Sequence, residues 1–497
     1  MKSSRPLWTP SSRRFPGLEA DLHADVAVVG GGITGVTTAL LLASAGKRVA
    51  LLETRHLGAG VTGSTTAHLT EALDTRYHEL ESSFGAEGAR LARASSRAAI
   101  EKISELATGI DCGFERVTGY LYADSDSQLS QLDAEVLAAE RAGAQVRRIN
   151  EIPLPLPVRG AVEFESQAQF RPLDYLAGLA ERLAATKAQV YEGVTVLDVE
   201  TKGQLRLQTS TGRSVTADAV VLATHAPFQG LQQQLELAQY RSYAVAGRVA
   251  APFRGLYWDL ADPYHYIRTV TIDGQHHLIV GGGDHRTGTI PEGGPAAPYW
   301  ELDALAAKLG VPASERWSAQ VAESADGLPF IGRLDSKVEL YVAQGFAGNG
   351  MTFGTLSAMI ICDALLGRDN PYAELYRPSR VKPLASAAAV VTENAETAAH
   401  LVAGHVKPVS DEPLEQLPIG EGRIVKSDGK KLAVYRDQDG ALHAVSAICT
   451  HQGCQVAFNP MECSWDCPCH GSRFDIDGGV LDGPAKRPLE KHDVSQR

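Results

Sequence analysis

The sequence has few cysteines, no long uninterrupted apolar segment and fewer basic than acidic residues. Seven cysteines in 497 residues are too few for a disulfide scaffold. Glycines interrupt the apolar run at 26–45, so no stretch is suited to span a membrane, and the basic N-terminus lacks the apolar segment of a secretory signal. Basic residues are outnumbered, 47 against 59 acidic ones, and the net charge of −12 disfavours binding to nucleic acid. We therefore expect a cytoplasmic protein without a membrane span or a nucleic-acid partner.

The composition that is present is that of a globular protein. Hydrophobic residues make up 44% of the chain and charged residues 21%, which is enough apolar material for a core. At roughly 150 residues per domain, the length predicts two or three domains. Five of the cysteines lie between Cys449 and Cys469, which indicates a local metal or redox site near the C-terminus.

A dinucleotide-binding unit is predicted near the N-terminus. Residues 25–29 and 49–52 read as buried strands on either side of an apolar helix, which makes one β-α-β unit. A Gly-x-Gly-x-x-Gly motif at the helix start lets the backbone approach a pyrophosphate, and an acidic residue after the second strand can bind ribose hydroxyls. The residues concerned are Gly30, Gly32, Ile33, Thr34, Gly35 and Glu53. The motif leaves NAD and FAD open, and a glycine-rich turn without a ligand is the weaker alternative.

Three further small-residue segments favour FAD. Ser64, Thr65 and Thr66 end a loop directly after the first unit, residues 327–332 are glycine-rich, and residues 345–354 open an apolar helix. Together with the first motif, these segments resemble the D-amino-acid oxidase, glycine oxidase and sarcosine oxidase family of FAD-dependent oxidoreductases over residues 15–377. The resemblance implies an α/β FAD-binding fold of the Rossmann type with an α+β substrate domain.

The same resemblance implies further contacts with the flavin cofactor. The helix start at Gly350, Met351 and Thr352 would direct its positive dipole at the flavin pyrimidine edge. Thr224 follows a strand that resembles the family's other dinucleotide-contacting strand, and Val194 matches the residue whose backbone touches adenine. His68 lies one residue too far from the flavin-side loop for the covalent attachment known in some relatives. We therefore expect a histidine on a helix surface, or one that lies near the flavin without bonding to it.

The family chemistry is hydride transfer from a carbon bearing nitrogen, or in some members oxygen, to flavin N5. Tyr266 and Arg268 stand where relatives often carry a Tyr and an Arg for a substrate carboxylate, and we take them as the candidate catalytic pair. An arginine fork suits a carboxylate. A structural ion pair for Arg268 and a core position for Tyr266 are equally compatible with the sequence.

The C-terminal cysteines and histidines have the spacing of an iron–sulfur motif. Cys449-x-His451 and Cys467-x-x-His470 are separated by fifteen residues, and this arrangement resembles the Rieske family closely. The resemblance implies that two thiolates hold one iron and two imidazoles the other, as in a [2Fe-2S] cluster of raised potential. Two Cys and two His would also suit a structural zinc ion, but zinc does not account for Cys454 and Cys469.

The Rieske resemblance implies several secondary features. In respiratory-type relatives the positions of Cys454 and Cys469 form a disulfide between the two cluster loops, and the same bridge is expected here. Ser472 matches a serine that donates a hydrogen bond to a bridging sulfide. Phe474 stands where high-potential relatives have tyrosine, which predicts a potential below the respiratory maximum. Cys463 is expected to be a free thiol, and residues 483–484 resemble the proline loop that covers the cluster.

The predicted organisation is a flavoprotein followed by a small all-β domain. The FAD-dependent oxidoreductase is expected over residues 17–377, the linker over 378–407 with a helical connector ending near His400, and the Rieske domain over 408–497. Within the first domain, FAD binding is assigned to about 24–80, 170–235 and 325–377, and the substrate part to about 81–169 and 236–324.

The pairing predicts oxidation of an amine or amino acid, with electrons leaving the flavin through the cluster to a soluble acceptor. Two alternatives remain open at this stage: a 2-hydroxyacid dehydrogenase on the same scaffold, and a redox-sensing or electron-carrier protein without substrate turnover. Comparing the potentials of the two centres would also show whether electrons flow in the reverse direction.

Overall fold

The structure is a computed structural model that describes residues 6–228, 237–380, 413–427 and 429–494. The predicted linker, apart from its first three residues, and the helical connector near His400 lie outside the described residues. The strands are β1 (Leu22–Val29), β2 (Val49–Leu52), β3 (His68–Leu69), β4 (Glu115–Ala123), β5 (Val146–Ile149), β6 (Gly160–Gln169), β7 (Gln189–Tyr191), β8 (Val196–Glu200), β9 (Leu205–Thr209), β10 (Ser214–His225), β11 (Leu237–Val249), β12 (Leu256–Asp259), β13 (Tyr266–Ile272), β14 (Gln275–Arg286), β15 (Glu315–Ser324), β16 (Phe330–Asp335), β17 (Val338–Gln344), β18 (Gly422–Ser427), β19 (Lys430–Arg436), β20 (Leu442–Ser446), β21 (Ala457–Asn459), β22 (Ser464–Asp466), β23 (Arg473–Asp475) and β24 (Val480–Asp482). The helices are α1 (Ile33–Ser44), α2 (Tyr77–Ala107), α3 (Leu129–Arg141), α4 (Pro172–Ala184), α5 (Ala297–Lys308), α6 (Gly350–Leu365) and α7 (Ala373–Tyr376).

The first sheet is the mostly parallel sheet that the glycine motif predicted. Its order is β16-β17-β10-β1-β2-β7, with β9 paired to β10 and β8 to β9. The pairs β1·β2, β1·β10, β10·β17 and β2·β7 are parallel, so the carboxyl ends of the three central strands meet at one edge. Helix α1 covers this sheet and packs against α6 and α4. A cofactor crevice is expected at that edge of such a sheet.

The second sheet is built mainly from the ranges that the sequence assigns to the substrate part. Its order is β15-β11-β14-β13-β12-β4-β6-β3, with β5 paired to β6, and apart from the parallel pair β4·β12 its neighbouring strands run antiparallel. Long helix α2 is kinked at Gly85, where φ is 72°. Two sheets of different character therefore meet, one parallel and one largely antiparallel.

The C-terminal part is all-β, as expected. A three-stranded sheet β18-β19-β20 and a four-stranded sheet β21-β22-β23-β24 enclose a core that includes Tyr435, Trp465 and Phe474. Both antiparallel sheets are built from short strands of three to seven residues. The fold class predicted from the sequence is confirmed. No helix in the described ranges is long and apolar enough to cross a membrane.

A buried ion network joins the C-terminal domain to strand β11. Arg241, only 1% exposed, contacts Glu462 through hydrogen bonds of 2.7 and 2.9 Å. Glu462 also pairs with Arg473 at 2.8 Å, and Asp482 lies 3.1 Å from Arg473 and 3.9 Å from Arg241. Two guanidiniums and two carboxylates therefore compensate one another inside the contact between the domains.

Candidate active site and metal centre

A cavity of about 370 Å³ opens at the carboxyl ends of the central parallel strands. The flavoprotein part lines it with the glycine loop before α1, the end of β10, the start of α6 and residues of β11, β13, β14 and β15 in the second sheet. Residues 480–486 of the C-terminal domain also line it. The cavity thus lies between the two sheets and is closed by the second domain.

The glycine loop packs so closely against its neighbours that Gly30 and Gly35 have no room for a side chain. Gly30 has φ 110°, and a Cβ there would overlap the carbonyl of Ala223 on the neighbouring strand. A Cβ on Gly35 would overlap the carbonyl of Gly30, which brings α1 close to β1. The N-caps of α1 and α6, Gly32 and Asn349, make no side-chain capping hydrogen bond, and neither helix has an acidic residue in its first turn. The positive ends of both helices are therefore available to a phosphate or an anionic ring edge.

Most of the sequence-predicted cofactor residues lie together on this cavity. The predicted residues on the wall are Gly30, Gly32, Ile33, Thr34, Glu53, Ser64, Thr65, Thr66, Thr224, Gly350 and Met351. Gly35, Val194 and Thr352 lie behind it: Val194 donates its backbone N–H to the Glu53 carbonyl at 2.9 Å, and its neighbours Thr195 and Val196 reach the wall instead. The Glu53 carboxylate accepts backbone hydrogen bonds from Gly31 at 2.7 Å and Arg55 at 2.8 Å. The residues present fit an extended dinucleotide.

Tyrosines and carboxylates line the substrate end of the cavity. Tyr266 lies on the wall, and its hydroxyl is 3.0 Å from the Ser242 hydroxyl. Tyr264 donates a hydrogen bond of 3.0 Å to Asp74, which also accepts the Gly348 N–H at 2.5 Å. Asp284 lies on the same wall. Burial raises the pKa of the Tyr266 hydroxyl, so this group stays protonated and acts as a hydrogen-bonding group.

Arg268 is placed behind the cavity wall. Its Nη1 donates hydrogen bonds to the carbonyls of Thr66, Ala67 and Phe170 at 2.8, 2.7 and 3.2 Å. The guanidinium also lies 5.9 Å from the Trp8 ring centroid. A guanidinium that donates to two carbonyls of the flavin-side loop and to the carbonyl that follows β6 is a structural group, so its position does not favour a substrate-binding role.

His68 belongs to strand β3, so the expectation of a helix-surface position does not match the fold. The histidine lies on the cavity wall, edge-on to Tyr266 with ring centroids 5.6 Å apart. Burial, with a smaller contribution from Arg268, lowers the pKa of His68 to about 3. The imidazole is therefore neutral at physiological pH.

The four predicted metal ligands converge at the tip of the C-terminal domain. The thiols of Cys449 and Cys467 contact each other, and this hydrogen bond lowers the pKa of Cys449 while it raises that of Cys467. The rings of His451 and His470 stand 4.9 Å apart between centroids, and both Nδ1 atoms are buried without a hydrogen-bond partner among the described residues. Burial lowers the pKa of His470 to about 4, so the imidazole has the neutral form that ligates metal. Two thiols and two orphaned imidazole nitrogens fit a histidine-ligated diiron centre.

The bridge between Cys454 and Cys469 is formed, with a Cα–Cα distance of 6.5 Å. The predicted disulfide is confirmed. These two cysteines are therefore already bonded, although they lie close enough to Cys467 to form a cluster of three sulfur atoms. Cys463 is a free thiol, also as expected.

Ser472 is fully buried and accepts a hydrogen bond of 3.0 Å from the backbone N–H of Ala485, in the segment that resembles the proline loop. Its hydroxyl also interacts with the Cys449 thiol. Replacing Ser472 with Ala is expected to lower the cluster's midpoint potential by roughly 65–130 mV. The reason is that a hydrogen bond to a charged group contributes roughly 1.5–3 kcal/mol and a tenfold shift in a one-electron equilibrium is 59 mV. Redox titration followed by EPR measures the shift; Ser472→Thr keeps the hydroxyl, and an equal drop in both variants would contradict the assignment.

The cluster-binding loops lie against the flavoprotein part. Gln320 donates a hydrogen bond of 2.8 Å to the Gly471 carbonyl, next to the ligand His470. The backbone of Cys467 and Pro468 approaches Gly288 so closely that a Cβ on Gly288 would overlap it. Lys486 donates a hydrogen bond of 3.0 Å to the Leu197 carbonyl and lies 3.5 Å from the Phe228 ring centroid. The candidate metal centre is therefore docked beside the cavity.

The fold and the two sites define the class of protein, a flavin-dependent oxidoreductase with an iron–sulfur domain. Residues 25–364 match the family described as FAD dependent oxidoreductase, and residues 408–493 match the Rieske [2Fe-2S] domain. The chain therefore belongs to the FAD-dependent oxidoreductase family and carries a C-terminal Rieske domain. Its cofactors are FAD and a Rieske-type [2Fe-2S] cluster.

Similar proteins share one or both parts. YhfW of Bacillus subtilis (strain 168), named as a Rieske 2Fe-2S iron–sulfur protein, is 33% identical over 490 residues, covering 97% of this chain and 95% of its own. Gamma-glutamylputrescine oxidoreductase of Escherichia coli (strain K12) is 28% identical over 373 residues, covering 71% of this chain and 86% of its own. Glycine oxidase from Geobacillus kaustophilus has a TM-score of 0.61 at 23% identity, covering 72% of this chain and 99% of that structure, which shows a shared fold.

Sequence reasoning missed several residues on the cavity wall. They are Asp74, Ser242, Trp258, Asp284 and the segment 480–486 apart from its proline loop. Asp284 directly follows Gly281, Gly282 and Gly283, and that glycine run was the one signal that could have drawn attention to it. The other residues are separated by long stretches of chain and have no shared motif.

Proposed function

We propose that the protein oxidises an amine at its flavin and passes the electrons through the Rieske cluster to an external acceptor. The observation that carries this proposal is the docking of the cluster-binding loops beside the flavin cavity, with residues 480–486 forming part of the cavity wall. An amine is favoured because the similar gamma-glutamylputrescine oxidoreductase is named for an amine, and because Arg268, the candidate carboxylate clamp, is committed to backbone carbonyls.

The residue assignments are part of this proposal. Bound FAD supplies a two-electron acceptor for hydride, and the cluster supplies a one-electron carrier. The glycine loop and Glu53 would hold the adenosine and pyrophosphate, the α6 start would face the pyrimidine edge, and Tyr266 would orient the substrate through its hydroxyl. Cys449, Cys467, His451 and His470 would ligate the irons. The domain limits 17–377 and 408–497 remain the proposed boundaries.

Anaerobic stopped-flow spectroscopy tests the order of events. Mixing the full chain with a panel of amines is expected to bleach the flavin first and to reduce the cluster afterwards. Cluster reduction that precedes flavin bleaching would contradict the proposed direction. Bleaching by 2-hydroxyacids alone would assign the scaffold to a C–O donor, and no bleaching by either class would support an electron carrier without turnover.

A matched variant makes this test specific. His451→Cys is expected to lower the cluster potential and to remove the Rieske EPR signature, because a thiolate adds negative charge that the neutral imidazole lacks. Flavin bleaching should keep its wild-type rate, since His451 is not among the residues that line the flavin cavity. A variant that also loses bleaching would show that the two centres are not separable in this way.

A further inference from the structure

A carboxylate at the substrate end of the cavity has no evident structural task. Asp284 lies near the end of β14 and lines the cavity together with Tyr264, Tyr266 and Ser242. Its Oδ1 is buried and has no hydrogen-bond partner among the described residues. A buried acceptor without a donor is costly, and such groups occur mainly where a ligand completes them.

The neighbouring carboxylate is held differently. Asp74 accepts hydrogen bonds from the Tyr264 hydroxyl at 3.0 Å and from the Gly348 N–H at 2.5 Å. Burial raises the pKa of Asp74, and these hydrogen bonds and the charge of Arg76 oppose that rise. Asp74 is therefore fixed to the loop in front of α6. Among the described residues, Ser242 is the hydrogen-bonding partner of the Asp284 side chain, and that hydroxyl is shared with Tyr266.

The cations near this end of the cavity interact with groups other than Asp284 or are shared with other carboxylates: Arg76, on the cavity lining, acts on Asp74. Arg268 donates to three backbone carbonyls. His265, the cation whose charge acts on Asp284, lies between Asp259 at 2.7 Å and Glu301 at 3.2 Å. Burial, with a further contribution from the charge of Asp74, raises the pKa of Asp284 to about 7. A cationic group entering the cavity would relieve both the desolvation and the repulsion between the carboxylates.

We propose that Asp284 binds the ammonium group of a cationic amine substrate and then accepts one of its protons. This inference rests on the proposed function and names its substrate class. The N–H bond breaks, an O–H bond forms on Asp284, and the nitrogen keeps the electron pair. The neighbouring C–H then leaves as hydride with two electrons to the flavin, the nitrogen lone pair forms the C=N bond of the iminium product, and Asp284 returns its proton to water.

Binding is the first test, because it does not depend on turnover. n-Butylammonium and 1-butanol are titrated into the FAD-loaded full chain under anaerobic conditions, and the flavin difference spectrum is followed. The wild type is expected to bind the cation at least about tenfold more tightly than the alcohol, because a charge-assisted hydrogen bond is involved. Asp284→Asn should lose this preference, and Asp303→Asn, on α5 and outside the cavity lining, should keep it. A wild type without preference, or an Asp284→Asn variant that retains it, would overturn the proposal.

The pH dependence of flavin bleaching is the second test. In the wild type the rate with a saturating amine is expected to rise through pH 7, as Asp284 becomes the carboxylate that can take a proton. Asp74, His265, Tyr264 and Tyr266 also face Asp284, so the pH at which the rate rises does not by itself identify the group that titrates. The rise is assigned to Asp284 because Asp284→Asn is expected to lose it. If no amine bleaches the wild-type flavin, the proposed function fails, and the binding arm still decides the role of Asp284. If both proteins bleach with the same pH profile, the function stands and this inference fails.

Discussion

Replacing Glu462 with Gln is expected to lower the ratio of docked to undocked Rieske domain by about 100-fold or more. Glu462 lies between Arg241 at 2.7 Å and Arg473 at 2.8 Å. None of the three side chains is more than 11% exposed. Removing its charge leaves two buried guanidiniums to share Asp482 and Asp466, and breaking one partner of a buried ion network costs roughly 3–5 kcal/mol. The rate of cluster reduction after flavin bleaching, followed by stopped flow, is expected to fall.

The matched control for this variant is a pair on the surface. Arg147 and Glu163 form an ion pair of 2.8 Å in which Arg147 is 70% exposed, and exposed pairs contribute about 0–1 kcal/mol. Glu163→Gln should therefore leave the rate of cluster reduction as it is. The Glu462→Gln variant could instead reduce its cluster as fast as the wild type and show the same compactness in X-ray scattering. That result would mean that the network does not hold the domains together.

Replacing Gly30 with Ala is expected to weaken FAD binding by about 100-fold or more. A Cβ at this position would overlap the Ala223 carbonyl, and φ of 110° is a conformation that alanine rarely adopts. Strands β1 and β10 are paired in the centre of the sheet, so neither backbone can move away without loss of ladder hydrogen bonds. The purified variant should lack the flavin absorption bands and keep the EPR signal of the cluster.

Gly60 provides the control inside the same cavity. A Cβ on Gly60 would meet no atom within 4 Å, and its φ is not positive. Gly60→Ala should therefore retain FAD. If Gly30→Ala also retained flavin at the wild-type ratio to protein, the glycine loop would not be the phosphate-binding element. If it lost the cluster signal as well, the effect would be one of folding rather than of the cofactor site.

Features that depend on short segments could be predicted from the sequence. The unit at 25–53 forms as expected because apolar strands and a glycine turn are specified by neighbouring residues. The Cys454–Cys469 bridge and the convergence of the four ligands were implied by a spacing that one family uses. Arg268 shows the limit of this approach, since its neighbourhood in the sequence matched a substrate arginine, yet carbonyls about 100 and 200 residues away in the chain occupy its guanidinium.

The sequence by itself determined the class of protein, because the motifs for FAD and for the Rieske cluster are local and carry their own geometry. Only the tertiary structure decided that segment 480–486 closes the flavin cavity, that Asp284 has a buried Oδ1 without a donor among the described residues on the cavity lining, and that Arg241 lies between acidic residues of the other domain. These facts depend on how two sheets and a second domain pack against one another. Burial and pairing of charges are properties of that packing, and no single segment of the chain encodes them.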